Sequence, residues 1–219
     1  MQAVIFDMDG VLVDSEPLHR QHIQAFLAKL NVTEPEKLKH NFKGVNSKDT
    51  ARIIIETFQL EYDVDEMVIL SRKAYLDYLN SLEELPTIHG SIFFVKSLSK
   101  AGHPLALASS ASTKRIELFL DKLDLKNYFK ATTSGDNVER SKPAPDIFLL
   151  AAKKLGVAPK DCVVIEDSAN GVAAAKAAGM KCIAYSGSDH NTDNLLDADL
   201  VVKDFIKLVN ALKPGKLPV

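Results

Sequence analysis

The feature that most constrains the fold is a repeated punctuation: a short apolar run, a polar turn, then a helical pattern. Ala3-Val4-Ile5-Phe6 is the first such run and ends in Asp7-Met8-Asp9-Gly10. An apolar stretch of that length bounded by turn residues predicts a buried strand running into a loop. Comparable runs follow. Pro104–Ala108 ends at Ser109-Ser110, Phe129–Thr133 near Ser134-Gly135-Asp136, Cys162–Ile165 at Glu166-Asp167-Ser168, and Lys181–Tyr185 at Ser186-Gly187. A shorter segment, Asp199–Val202, predicts an edge strand. Between the runs lie helical patterns with clear stops. Ser91–Ala101 sets Phe94, Val95, Leu98 and Ala101 on one face and stops at Gly102; Asp146–Leu155 carries Ile147, Leu150 and Ala151 and stops at Gly156. Ser168 is placed to cap a helix that runs to Ala178 and stops at Gly179. From residue 88 onward strand and helix alternate, which predicts an α/β fold: a doubly wound parallel sheet, Rossmann-like, with helices on both faces.

One interval breaks the rhythm. Residues 16–85 show helical periodicity, with candidate helices at Pro17–Leu30, Glu34–His40, Lys48–Phe58 and Asp65–Leu82, and no strand pattern. Such an interval is too long for a structureless loop. The expected organisation is a core domain of residues 1–15 and 86–219 carrying a small inserted helical cap domain, residues 16–85, hinged near Ser15 and Pro86. No internal repeat or low-complexity tract disturbs that division.

Composition narrows the function classes. The 219 residues carry a formal charge of −2, against the basic surplus of nucleic-acid binders. No stretch approaches the ~20 apolar residues that span a bilayer, and the strand pattern follows Met1 too closely for a signal peptide. Cys162 and Cys182 sit in apolar runs and read as reduced core residues. The expectation is a cytoplasmic monomer that handles a small molecule, without nucleic-acid or membrane partners.

In a parallel sheet, ligands bind at the carboxyl ends of the strands. Sorted by that rule, the polar residues form a set: Asp7 and Asp9, then Ser109, then Glu166 and Asp167, with Lys142 in the loop after the third strand. Four carboxylates converging on one place repel each other and raise each other's pKa values. A hard divalent cation resolves the conflict, and an all-oxygen donor set suits Mg²⁺, which keeps positions open for phosphate oxygens. A carboxylate at a rigid strand end, Asp7, is suited to attack phosphorus and form an aspartyl-phosphate. Asp9, two residues on, is suited to protonate the leaving group and later activate water. Ser109, with Ser110 and adjoining backbone N–H groups at a helix N-terminus, can hold a phosphoryl oxygen, and Lys142 can neutralise its charge. Asp167 and Glu166 would complete the metal shell with Asp7 and Asp9. Each signal alone also describes a turn, a helix cap or a surface loop; their joint placement at separate strand ends carries the reading. His19 and His22, three apart on a helix, lack a third metal ligand.

These residues resemble the haloacid dehalogenase-like superfamily. Phe6-Asp7-Met8-Asp9-Gly10-Val11-Leu12-Val13-Asp14-Ser15-Glu16 is similar to its first motif, Leu107-Ala108-Ser109-Ser110 to its second, Ser141-Lys142-Pro143 to its third and Val164-Ile165-Glu166-Asp167-Ser168 to its fourth. The resemblance implies Asp7 as nucleophile and Asp9 as acid/base. It implies Ser109 and Lys142 as phosphate binders, and Mg²⁺ held by Asp7, the backbone of Asp9 and Asp167, with Glu166 close by. Within the superfamily the chain resembles the β-phosphoglucomutase and sugar-phosphatase group. On that likeness His19, Lys43, Gly44, Ser47 and Lys73 are substrate-side candidates, with Arg72 beside Lys73. Ser47 stands where the mutases carry an arginine that grips a second phosphate, and the neighbouring Lys48 lacks its bidentate geometry. The expected activity is therefore Mg²⁺-dependent hydrolysis of small phosphorylated metabolites, sugar phosphates foremost, with a hexose phosphomutase as the alternative. A receiver-type signalling module would also phosphorylate a strand-end aspartate, but has little use for Asp9 or a large insert.

Overall fold

The computed structural model describes residues 2–38, 47–187, 194–212 and 217–219. Along the chain the elements are β1 (Ala3–Phe6), α1 (Ser15–Lys29), α2 (Ser47–Phe58), α3 (Val64–Ser81), α4 (Ser91–Lys100), β2 (Leu105–Ser109), α5 (Thr113–Lys122), β3 (Ala131–Ser134), α6 (Asp146–Leu155), β4 (Cys162–Glu166), α7 (Ala169–Ala177), β5 (Lys181–Tyr185), β6 (Leu200–Val202) and α8 (Phe205–Asn210).

The strands form one sheet in the order β3-β2-β1-β4-β5-β6, and every pairing is parallel. The chain builds outward from β1 through β2 to β3, then crosses back to lay β4 on the other side of β1. The strand order therefore reverses between β1 and β4, with Phe6 opposite Ile165. That reversal opens a crevice at the strand ends, the usual ligand position in such sheets. Every residue of β1, β2 and β4 is buried, as strands covered on both faces must be.

Side-chain alternation sends neighbouring residues to opposite faces. Ala3 and Ile5 pack with Ile147, Phe148 and Ala151 of α6 and Val172 and Ala175 of α7. Phe6, on the other face, meets Phe94 of α4 with ring centroids 5.6 Å apart. Phe94 stacks on Phe205 of α8 at 5.3 Å, and Phe205 on Tyr185 at 4.6 Å. The sheet is thus wound on both faces, as expected. These rings are buried, and truncating one such phenylalanine to alanine costs about 3–5 kcal/mol.

The chain divides into two compact units, Met1–Ser15 with Leu85–Val219, and Glu16–Glu84. In the larger unit the departing and returning segments lie side by side. The Asp14 N–H donates to the Pro86 carbonyl at 2.9 Å, the Ile88 N–H to the Leu12 carbonyl at 3.0 Å, and the Ser91 hydroxyl to the same Leu12 carbonyl at 3.2 Å. The smaller unit packs α1, α2 and α3 around Phe26, Leu27, Ala51, Ile54 and Met67. Asp63 caps α3, accepting from the backbone N–H groups of Asp65 and Glu66.

Some elements differ from the reading of the sequence. The helix expected at Glu34–His40 is a 3-10 turn, Pro35–Lys37, with no buried residue to anchor a longer one; His40 lies outside the described residues. Helix α5 (Thr113–Lys122) is expected only as the helix N-terminus following Ser109, and α8 has no counterpart among the expected elements. Among the described residues no helix is long and apolar enough to cross a membrane.

Candidate active site

The site begins where β1 ends. Asp7 follows Phe6 directly, and its backbone N–H extends the ladder by donating to the Ile165 carbonyl at 2.9 Å. Its carboxylate is thereby fixed at the β1/β4 crevice, and the residue is only 6% exposed. From the next strand over, Glu166 closes β4 at 1% exposure, followed by Asp167 at 8%. Ser109 closes β2, buried, its hydroxyl oxygen accepting the Ala111 N–H at 3.1 Å.

Lys142 ties the strand ends together. It lies far from β1 and β4 in sequence, yet its ammonium reaches Asp7 Oδ1 at 2.5 Å and Glu166 Oε1 at 2.8 Å. It also lies over the Phe148 ring, 4.7 Å from the centroid. The other oxygen of Glu166 accepts three bonds, from the Asp167 N–H (2.7 Å), the Ser168 N–H (2.8 Å) and the Ser168 hydroxyl (3.0 Å). Ser168 Oγ in turn accepts the Gly171 N–H and caps α7. The sequence pattern places Glu166 among the metal ligands. Here one of its oxygens holds Lys142 and the other shapes the turn after β4.

The electrostatics follow from this packing. Burial drives the Asp7 carboxyl up to about 7; Lys142 opposes that rise, while Glu166 and Asp9 add to it. Burial alone would favour a neutral Lys142, but Asp7 and Glu166 outweigh it and push the ammonium above its ordinary range. Asp7 and Glu166 therefore share the one Lys142 ammonium, an excess of carboxyl groups in a dry place.

That excess, presented by oxygen donors alone, fits a hard divalent cation. Among the described residues, no group of three or more His, Cys, Asp or Glu is set as a ready-made cage for an ion. Glu166 is engaged as above, and Asp9 turns toward a different partner. Mg²⁺ is commonly held by one or two carboxylates, with water and substrate phosphate oxygens filling the rest.

The partner of Asp9 is a residue that the sequence pattern does not single out. Arg115, in the opening turns of α5, donates from a terminal guanidinium nitrogen to Asp9 Oδ2 at 2.5 Å. The signal available is a basic run, Lys114-Arg115, just beyond the Ser109 strand end. Asp167 is bound to the first loop by close approach: a Cβ on Gly10 would sit 2.2 Å from Asp167 Oδ2. Gly10 also has φ +74°, a left-handed conformation that favours glycine.

The remaining candidates are less closely engaged. Ser110 is exposed. His19 is half-buried in the smaller unit against Tyr75, with centroids 4.7 Å apart. Lys73 is exposed on α3, as is the neighbouring Arg72, and Ser47 is exposed at the start of α2. Lys48 is paired with Asp65 at 2.7 Å. Lys43 and Gly44 lie outside the described residues.

Comparison with known proteins agrees with this geometry. Residues 4–185 match the family model described as haloacid dehalogenase-like hydrolase. The chain is 36% identical to a phosphorylated carbohydrates phosphatase of Thermotoga maritima over 186 residues, covering 84% of each chain. It is 35% identical to a fructose-1-phosphate phosphatase of Escherichia coli over 181 residues, 82% of this chain and 94% of that one. Among solved structures, CbbY of Rhodobacter sphaeroides, crystallised with xylulose-(1,5)-bisphosphate, superposes with a TM-score of 0.79. Its identity is 25%, and the match covers 95% of this chain and 96% of that one. Four ordered motifs at the ends of β1, β2 and β4 and in the loop after β3, a doubly wound sheet and a match over most of the length lead to one assignment: this chain belongs to the haloacid dehalogenase-like hydrolases.

Proposed function

We propose that this hydrolase is a phosphatase of small phosphorylated carbohydrates, with Asp7 as the residue that takes the phosphoryl group. The observation that carries the proposal is the buried Asp7–Lys142–Glu166 set at the β1/β4 crevice. A lysine gripped by two carboxylates in so dry a place serves an anionic, oxygen-rich reaction centre better than it serves stability. A buried ion pair adds little net stability over well-packed apolar residues.

The steps follow from the residues. An Asp7 carboxylate oxygen attacks phosphorus; the phosphorus–oxygen bond to the sugar breaks as an Asp7–phosphorus bond forms. Asp9 delivers a proton to the departing sugar oxygen, which is otherwise a poor leaving group. Asp9, now ionised, takes a proton from water, whose oxygen attacks phosphorus, frees inorganic phosphate and restores the Asp7 carboxylate. Lys142 compensates charge on the transferring group, and Ser109 orients one of its oxygens. Mg²⁺, held by Asp7, the backbone of Asp9 and Asp167, would neutralise phosphoryl-oxygen charge and keep Asp7 ionised. We assign substrate selection to the smaller unit, Glu16–Glu84.

Hydrolysis is favoured over a phosphomutase reaction by two neighbouring residues. A mutase must hold a bisphosphate at both ends, yet Ser47 has no charge and Lys48 is engaged with Asp65. The test is a panel of sugar monophosphates with Mg²⁺, each run with and without the corresponding bisphosphate. Phosphate release independent of bisphosphate is expected. Bisphosphate-dependent isomerisation without net release would overturn the proposal.

A further inference from the structure

Arg115 is a charged residue at the strand ends to which the phosphoryl and proton transfers above assign no role. Its guanidinium meets Asp9 Oδ2 at 2.5 Å, across more than a hundred residues of sequence. The two side chains are 15% and 28% exposed, so the contact is partly shielded from water. Its position in α5 is costly by local rules. The first turn of α5 holds no acidic residue, and a cation there opposes the helix macrodipole. Breaking a local preference at a site of chemistry is what a functional constraint produces.

The anchoring of α5 makes this contact well defined. Arg115 N–H donates to the Ser112 carbonyl at 3.1 Å, and Thr113 N–H to Asp136 Oδ2 at 2.8 Å. The Thr113 and Ser134 hydroxyls lie 2.8 Å apart, fixing the helix start to the end of β3. Asp9, by contrast, stands in the loop beyond β1, outside any strand. A general acid must lie within hydrogen-bond reach of the oxygen it protonates, and a displacement of about 1 Å can cost roughly a hundredfold in rate.

We propose that Arg115 is a positioning residue: it seats the Asp9 carboxyl for proton transfer to the departing sugar oxygen. The inference rests on the phosphatase reading above. Arg115 does not touch the transferring phosphoryl group in this role; it acts through Asp9.

Two substrates separate this role from a structural one. An alkyl phosphate needs its leaving oxygen protonated, whereas p-nitrophenyl phosphate expels a stable phenolate and does not. In the first turnover, where release of the alcohol precedes the attack by water, Arg115→Gln should slow release of the sugar by about tenfold to a hundredfold and release of p-nitrophenolate by no more than about threefold. Arg115→Lys, which keeps a cation, should recover part of the loss. In an Asp9→Asn background the same Arg115→Gln change should cost nothing further, because residues acting as a unit are not additive. Equal losses on both substrates, additive losses in the double variant, or unchanged sugar release would overturn the proposal. Should Arg115→Gln fail to fold, the comparison of Arg115→Lys with wild type on the two substrates decides it in the same terms. Wild type and Asp9→Asn in the same assay test the phosphatase reading by itself: an inactive wild type contradicts that reading, not merely the role of Arg115.

Discussion

Lys142 shows how a single side chain can be read, and tested, at the scale of one residue. Its side chain is 8% exposed and shared between Asp7 and Glu166. Removing it as Lys142→Met leaves two buried carboxylates facing each other, which costs about 3–5 kcal/mol. The urea midpoint should therefore fall along with turnover. A variant as stable as wild type would show that the charges are less buried than the geometry indicates. Asp7, Asp9, Lys142, Glu166 and Asp167 are legible in the sequence because apolar runs announce where strands end, and polar residues at those ends have few alternatives in a covered sheet. Arg115 is not legible there. It gives no periodic signal, and only the packing of α5 beside β3 brings it back to the first loop. The detailed role of Glu166 is equally hidden, since the two oxygens of one carboxylate read alike until the Asp167-Ser168 turn is seen to use one of them.

At the scale of elements, the turns after β1 and β4 hold the site through two glycines. A Cβ on Gly171 would fall 1.7 Å from Glu166 Oε1, and one on Gly10 would fall 2.2 Å from Asp167 Oδ2. Neither clash is with a flexible tip that can move without consequence, because both carboxylates belong to the site. Gly171→Ala should displace Glu166, loosen Lys142 and lower kcat by at least about tenfold. Gly156→Ala serves as the comparison, since a Cβ there meets nothing within 4 Å and any cost reflects its φ of +70° alone. Equal kinetic effects from the two substitutions would contradict the close approach at Glu166. Helix α7 is readable because its signals are local: the Ser168 cap, an alanine-rich body and the Gly179 stop. The Glu34–His40 pattern looks helical too, yet nothing in Pro35–Lys37 is buried, and a short helix without an apolar face to bury has little to hold it. Helix α5 is legible only at its start after Ser109, because its basic opening runs against the usual helix-start chemistry, and α8 is not, because six residues give too short a repeat.

At the scale of the whole molecule, some buried groups respond to conditions rather than to substrate. His22 is held in the smaller unit between Phe26 and Tyr75, with Ser71 Oγ 3.3 Å from its Nε2. Burial first, then His19 and Lys29, lowers it to about 4. The folded form thus refuses a proton that the unfolded chain accepts below about pH 6.5. Stability is unaffected above that pH and falls as pH drops toward 4, by up to about 1.4 kcal/mol per unit. Melting points measured at pH 7 and pH 5 should differ more for wild type than for His22→Leu; identical differences would contradict a buried neutral imidazole. Cys162 and Cys182 are both buried. Burial, aided by nearby carboxylates, pushes their thiols up to about 11 and about 12. A disulfide reagent should accordingly label neither in the native protein at pH 8 and both after denaturation.

All of these features surround one claim, that the carboxylate closing β1 accepts the phosphoryl group. The most direct measurement is chemical trapping. Wild-type protein is mixed with Mg²⁺ and a sugar phosphate that it turns over, quenched during turnover and treated with borohydride, which reduces an aspartyl-phosphate to homoserine. Mass analysis of the first tryptic peptide should find homoserine at position 7 only when substrate is present. Asp7→Asn should show neither that product nor phosphate release. Continued phosphate release by Asp7→Asn, or turnover by wild type with the product absent from position 7, would contradict the central role of Asp7.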